Sequence, residues 1–281
     1  MWKKLKSFLR SWVLGPLVVE SIERAVSRRT NGSRGVFTSL DVELTPPSNG
    51  AMKLHELRIA PPNETVWIPI SKIRTRWASA VTYKQHQFVR YFAEGAEGLR
   101  SYYESHQPRD QMEGVFLYEC SEAFVPVRFP FLRTPWGFET EYVGYGPFGV
   151  SHGVQDFGPV SDRKIRWEAK RLDHVLESIR ERGFRVSNPR DPISYWLLID
   201  DVSGCDYRAI IAGGNHRIAA LAHLSWSLVP MRPAPHFQRE IRLSDLDSWP
   251  GVLDGTFSAA AATAYFLSYF RSGDEQLLSG W

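Results

Sequence analysis

Five consecutive residues, Gly213-Gly214-Asn215-His216-Arg217, combine the parts of an anion site. They follow a strand-like run, residues 207–212, and precede a helical stretch, residues 218–224. Glycine has no Cβ, so a pair of them lets the backbone turn sharply and come close to a ligand. Asn215 is of a type that caps helices, and the first-turn amides beyond a cap point outward without intrahelical partners. The positive end of the helix, the forked donors of Arg217 and the ring of His216 together favour phosphate or another oxyanion there. His216 could donate a hydrogen bond to such a group or move a proton, because imidazole titrates near neutrality. The simpler alternative is a helix cap whose His and Arg only pack or pair locally.

A second set of reactive side chains lies upstream. Residues 146–159 are glycine-rich and carry His152, Gln155 and Asp156 towards the next helix. The spacing predicts that helix over 162–182, where Ile165, Ala169, Leu172, Leu176 and Ile179 recur every three or four residues as one apolar stripe. Ser161 is its expected N-cap, and Gly183 with Phe184 behind it suits a glycine-terminated end. Glu168 and Arg171 fall at the margin of the stripe, where a charge is either solvated or aimed at a cleft. Segments 195–199 and 207–212 read as a hairpin joined across Asp200-Asp201-Val202-Ser203-Gly204-Cys205-Asp206. That acidic run has the composition of a metal loop, but Asp and Gly are also what turns use, and no metal site is assigned to it.

The order of segments around the turn carries a resemblance. Arg171-Leu172-Asp173-His174-Val175-Leu176-Glu177-Ser178-Ile179 runs on to Gly183-Phe184, and Asp191-Pro192-Ile193 follows. Then come the Gly-Gly-Asn-His-Arg turn, Ala219-Ala220-Leu221-Ala222-His223-Leu224 and Leu228-Val229-Pro230-Met231. Over residues 159–232 this resembles the core of the ParB/sulfiredoxin superfamily. In that core a helix ending in a Ser-Ile…Gly pattern leads to a Pro-Ile strand, another strand, a Gly-X-X-Arg turn, a helix and a Val-Pro strand. The run Val66-Trp67-Ile68-Pro69-Ile70-Ser71-Lys72-Ile73 looks like the first strand of the same core, which would make residues 74–157 an insertion.

The resemblance implies nucleotide binding. Partition proteins of the superfamily bind CTP, sulfiredoxin uses ATP, and free-serine kinases transfer phosphate from a nucleotide; in all of them this turn holds phosphates. Carried over, it assigns phosphate contact to Gly214, Asn215, His216 and Arg217, with Gly213 opening the turn, and brings His152 and Ser161 near the nucleotide. The expected function is that of a nucleotide- or phosphate-binding protein, a phosphotransferase or nucleotide hydrolase using ATP or CTP with Mg²⁺. His216 is its candidate for proton transfer, and Asp156 or Glu168 would activate the acceptor or bind the ion. Two positions depart from the pattern. Sulfiredoxin has its reactive cysteine where Asn215 stands, and the serine kinases open the turn with an acid where Gly213 stands.

Two further readings stay open. One is a DNA-associated ParB-like module, against which stands the Ala-rich C-terminal stretch, without basic clustering, where partition proteins place a helix-turn-helix domain. The other is a non-catalytic accessory protein. The run Gly158-Pro159-Val160-Ser161…Glu168…Arg171-Leu172, followed by Gly-Gly-Asn-His-Arg, is similar to bacterial proteins associated with cell-surface polysaccharide synthesis.

Composition bounds the rest. A chain of 281 residues with 43% hydrophobic and 13% aromatic content is globular and long enough for a real core, and its net charge of +3 does not mark a nucleic-acid binder. Two widely spaced cysteines, Cys120 and Cys205, offer neither a disulfide framework nor a zinc site and fit a reducing cytoplasm. Residues 1–30 hold Lys3, Lys4, Lys6, Arg10, Arg24, Arg28 and Arg29 against Glu20 and Glu23, with Trp2, Leu5, Phe8, Leu9, Trp12 and Val13 at helical spacing. Such a basic amphipathic arm either packs on its own domain or lies on the anionic inner face of a membrane. The expected fold is mixed α/β (α+β). It has the basic arm over 1–30, an elaborated N-terminal half over 31–157, a ParB/sulfiredoxin-like core of small mixed sheet and packed helices over 158–240, and a helical segment over 241–281. Residues 31–63 read as loops with an edge strand, and 84–106 as helix split by Gly95 and Gly98.

Overall fold

The computed structural model describes residues 44, 53–61, 64–107, 129–131, 152–153, 155–185, 193–234 and 239–271, all within the unit Asp41–Trp281. The expectations for residues 1–30 and for 146–151 lie outside the described residues.

The sheet is built around one hairpin. Strand β3 (Ser194–Asp200) pairs antiparallel with β4 (Asp206–Gly213), from Ser194 opposite Gly213 to Asp200 opposite Asp206. The acidic run between them is consumed by local bonds. Asp200 Oδ1 accepts from the amides of Val202 (3.2 Å) and Ser203 (2.9 Å), Asp201 accepts from Ser244, and Asp206 pairs with Lys72 and Arg208. On the far side of β3 lie β5 (Leu228–Pro233) and β6 (Glu240–Arg242), both parallel to it. Strand β1 (Val66–Pro69) is antiparallel to β5, and β2 (Ile73–Arg74) is parallel to β4. The result is a six-stranded mixed sheet, as expected, with β2 and β6 added to the four strands read from the sequence.

Both faces of this sheet are covered, which is why β3 is buried at nearly every position instead of alternating. Tyr195, Leu197, Ile199, Ala209 and Ile211 pack on one face with Ile179, Phe184, Ile218 and Leu221. Trp196, Leu198 and Ile210 pack on the other with Ile241, Trp249, Tyr265, Phe266 and Tyr269. On the first face lie α3 (Asp162–Arg182) and α4 (Asn215–His223), joined by α2 (Gln87–Ser105). These three helices share a cluster of Phe88, Tyr91, Leu99, Tyr102, Tyr103, Ile165, Leu172 and Ala219. Short α5 (Pro250–Leu253) precedes α6 (Ala259–Ser268), whose Ser258 cap accepts from the Ala261 amide at 3.1 Å. Among the described residues no helix is long and apolar enough to cross a membrane.

Two local expectations are corrected. Within the stretch read as loops with an edge strand, Leu54–Ile59 forms a short helix, α1, and most of the rest of 31–63 lies outside the described residues. Leu54 and Leu57 stand three apart, a helical step, and the side chain of Glu56 reaches back to the Lys53 amide. In α2 the break falls at Gly95 alone (φ 70°, ψ −156°), while Gly98 is buried within the helix.

Candidate functional site

Strand β4 ends at Gly213, and the chain then turns into α4 through Gly214 at φ +98°, ψ 20°. The left-handed φ alone favours glycine, and space demands it as well: a Cβ there would lie 3.0 Å from Ile193 Cγ1 and 3.1 Å from Ile193 Cα. Gly214 is the N-cap, and Asn215, expected in that role, is the first helical residue. Its Oδ1 is buried without a hydrogen-bond partner among the described residues. The first helical hydrogen bond runs from the Ile218 amide to Gly214 O at 3.0 Å, so the amides of Asn215, His216 and Arg217 precede it and have no acceptor within the helix. The start of α4 is therefore set by Gly214 and not by an Asn cap.

His216 does not lie open on this turn. It is buried, and its Nε2 meets Glu168 Oε2 at 2.6 Å, a bond that links the first turn of α4 to the second turn of α3. Arg171 Nη1 stands 3.6 Å from the same carboxylate oxygen, and the Phe88 ring stacks on the imidazole at 4.3 Å. A carboxylate accepting from Nε2–H leaves the lone pair on Nδ1, the arrangement that orients an imidazole as a base or an acceptor. Burial holds the His216 pKa below its ordinary value, the bond to Glu168 and its charge pull it back up, and Arg171 and Arg217 push it down again.

Around this pair lies a set of buried polar groups. His86 caps α2, its Nδ1 accepting from the Phe88 amide at 3.2 Å. Full burial, with the charge of His216 second, brings its pKa down to about 3. Lys164, one turn before Glu168, is also buried and donates to Gly153 O. Its pKa is lowered by burial, with Glu168 and Asp156 acting in the opposite sense. Tyr103 donates to Gln155 O at 2.8 Å, and Gln87 donates to the same oxygen at 3.1 Å. Burial first, then the charges of Glu168 and Asp156, raise the Tyr103 pKa well above the ordinary phenol value.

The loop before α3 is laced into these helices. Asp156 accepts from Trp77 Nε1 at 3.2 Å, and His152 Nδ1 lies 2.9 Å from Ser161 Oγ, which also accepts from the Lys164 amide at the start of α3. Gly158 runs so close to α2 that a Cβ would sit 1.9 Å from Tyr103 O, so no other residue fits.

Of the residues singled out from the sequence, Glu168 and His216 are joined directly. Ser161 and His152 are joined to each other at the head of α3. Asp156 is anchored on Trp77 and acts on Lys164 and Tyr103 through its charge. Sequence reading missed His86, Lys164, Phe88 and Tyr103. A signal existed for α3: Glu168 lies three residues after Ile165 and four before Leu172, on the apolar stripe itself, and it is buried. Among the described residues no group of three or more His, Cys, Asp or Glu is placed to hold a metal ion. Compared with known proteins, the chain matches no family model, no curated protein and no solved structure.

Proposed function

We propose that this protein binds a nucleotide or another phosphorylated small molecule at the turn from Gly213 to Arg217, and that the Glu168–His216 pair moves a proton in phosphoryl transfer or nucleotide hydrolysis there. The observation that carries the reading is the 2.6 Å bond from His216, in the first turn of α4, to the buried carboxylate of Glu168. A helix N-terminus favours phosphate through its amides and dipole, and Arg217 adds a guanidinium in the same turn. An imidazole whose Nε2–H is held by a carboxylate has its other nitrogen available to take the proton of an attacking hydroxyl or water. As that proton leaves, the new oxygen–phosphorus bond forms and the bond to the leaving phosphate oxygen breaks; Glu168 stabilises the resulting imidazolium. ATP or CTP with Mg²⁺ is the ligand class the ParB/sulfiredoxin resemblance favours.

The depth of the pair favours a second reading. With Glu168 at 2% and His216 at 9% exposure, the bond could serve as a clamp between α3 and α4 in a protein that binds its ligand without chemistry. This suits the accessory role in polysaccharide synthesis better than the DNA-associated one.

The deciding experiment is a thermal-shift screen of the full chain with ATP, CTP, a nucleotide sugar and inorganic phosphate, with and without Mg²⁺. A true ligand at 100 times its Kd stabilises by about 2.7 kcal/mol. Arg217→Ala should abolish that shift, and a screen in which no phosphorylated compound raises Tm overturns the reading. If a ligand binds, its turnover by the wild type and its loss in Glu168→Gln separate catalysis from binding alone.

A further inference from the structure

We propose that His86 is a further ligand-binding residue of this site, donating its Nε2–H to an oxygen of the bound phosphorylated molecule. The inference rests on the binding reading above and extends it to a residue from a different part of the chain.

The ring's protonation follows from its bonds. The Phe88 amide donates to Nδ1 at 3.2 Å, so that nitrogen carries the lone pair and the proton of the neutral ring is on Nε2. The ring is neutral because burial and the nearby His216 both oppose its charging. His86 is wholly buried, and among the described residues its Nε2 has no hydrogen-bond partner. A buried donor left without an acceptor is costly, and such groups are few in folded proteins. Capping α2 accounts for one nitrogen of the ring and leaves the other unexplained.

Its place points to the same turn. The rings of His86 and Phe88 lie 5.7 Å apart, and Phe88 stacks on His216 at 4.3 Å, so the start of α2 abuts the first turn of α4. That first turn holds a second buried polar atom without a partner among the described residues, Asn215 Oδ1, an acceptor that a hydroxyl or amino group of a nucleotide would satisfy and a phosphate oxygen would not. A ligand at this turn that both donates and accepts would give each of these two buried atoms a partner. A neutral imidazole donor also suits the position, because it adds a hydrogen bond to the phosphate without burying a positive charge.

The test uses His86→Asn in the full chain. Asparagine is among the best N-caps, so it keeps an acceptor for the Phe88 amide while removing Nε2–H. With ATP and Mg²⁺, and separately with inorganic phosphate, calorimetry should give about tenfold weaker binding for the variant. In the wild type, long-range proton–nitrogen NMR of the histidine rings should show the Nε2 signal of His86 moving on titration. If the amides of Asn215 and Arg217 move while the His86 ring does not, the site is real and His86 is only a helix cap. If nothing moves with either probe, the binding reading itself falls. Should the variant fail to fold, the wild-type titration decides alone.

Discussion

At the scale of single residues, the distinguishing feature is how many ionisable groups the helical face buries: His86, Lys164, Glu168 and His216, with Tyr103 beside them. Burying them ties stability to pH. His86 has a folded pKa of about 3 against an ordinary value of 6.5, and His216 is shifted in the same direction. Between those values the unfolded chain takes up protons that the folded chain refuses, so stability is full above about pH 6.5 and is lost as pH falls towards 3. One such histidine imposes a slope of up to about 1.4 kcal/mol per pH unit. Urea midpoints measured between pH 7.5 and 4.5 should fall accordingly, and more shallowly in His86→Asn. A flat profile would mean that His86 is hydrated. The sequence offered Glu168 as a charge beside an apolar stripe, but nothing in it said that the stripe's neighbour would be α4 and so that His216 would be the carboxylate's partner.

At the scale of elements, the two helices that meet at this pair were not equally legible. Helix α3 runs from Asp162 to Arg182 with Ser161 as its cap, because a long apolar stripe and a hydroxyl at its head are local signals. Helix α4 begins three residues before its apolar run does, since its start is set by the left-handed turn at Gly214 and not by a side-chain cap. That turn makes a sharp prediction. Gly214→Ala must place a Cβ against the Ile193 backbone at a φ of +98°, and together the strain and the contact should cost about 2 kcal/mol. Chemical denaturation measures the loss. If alanine is tolerated without cost, the turn is looser than described and the amides of α4 are not held in place.

At the scale of the whole molecule, the sheet supplies a rigid floor and the α2, α3 and α4 layer supplies the polar groups. Leu172 is fully buried in the cluster that joins those three helices. Leu172→Ala should therefore cost about 2–5 kcal/mol in urea unfolding, the range for emptying a packed core position. It should also loosen the Glu168–His216 contact, which depends on the same helix spacing. If ligand binding survives the substitution unchanged, the site does not need the helix layer to be tight. The mixed sheet itself was largely readable, because the hairpin, the Val-Pro strand and the Val66 strand each announce themselves by short apolar runs between turns. Strand β2 is the end of the Val66 run, split from β1 by a helical turn over Ile70–Lys72, whereas β6, of three residues, has no such signal and exists only through its pairing with β3.

What the chain's order of residues determined alone was local: which stretches turn, which coil into helices, and that a glycine pair leads an imidazole and a guanidinium into a helix. What folding decided was adjacency. Residues 168 and 216 meet, with 86 on the other side of the Phe88 ring's contacts, because three separate helices pack over one face of the sheet, and burial then makes their protons matter in a way no spacing along the chain encodes.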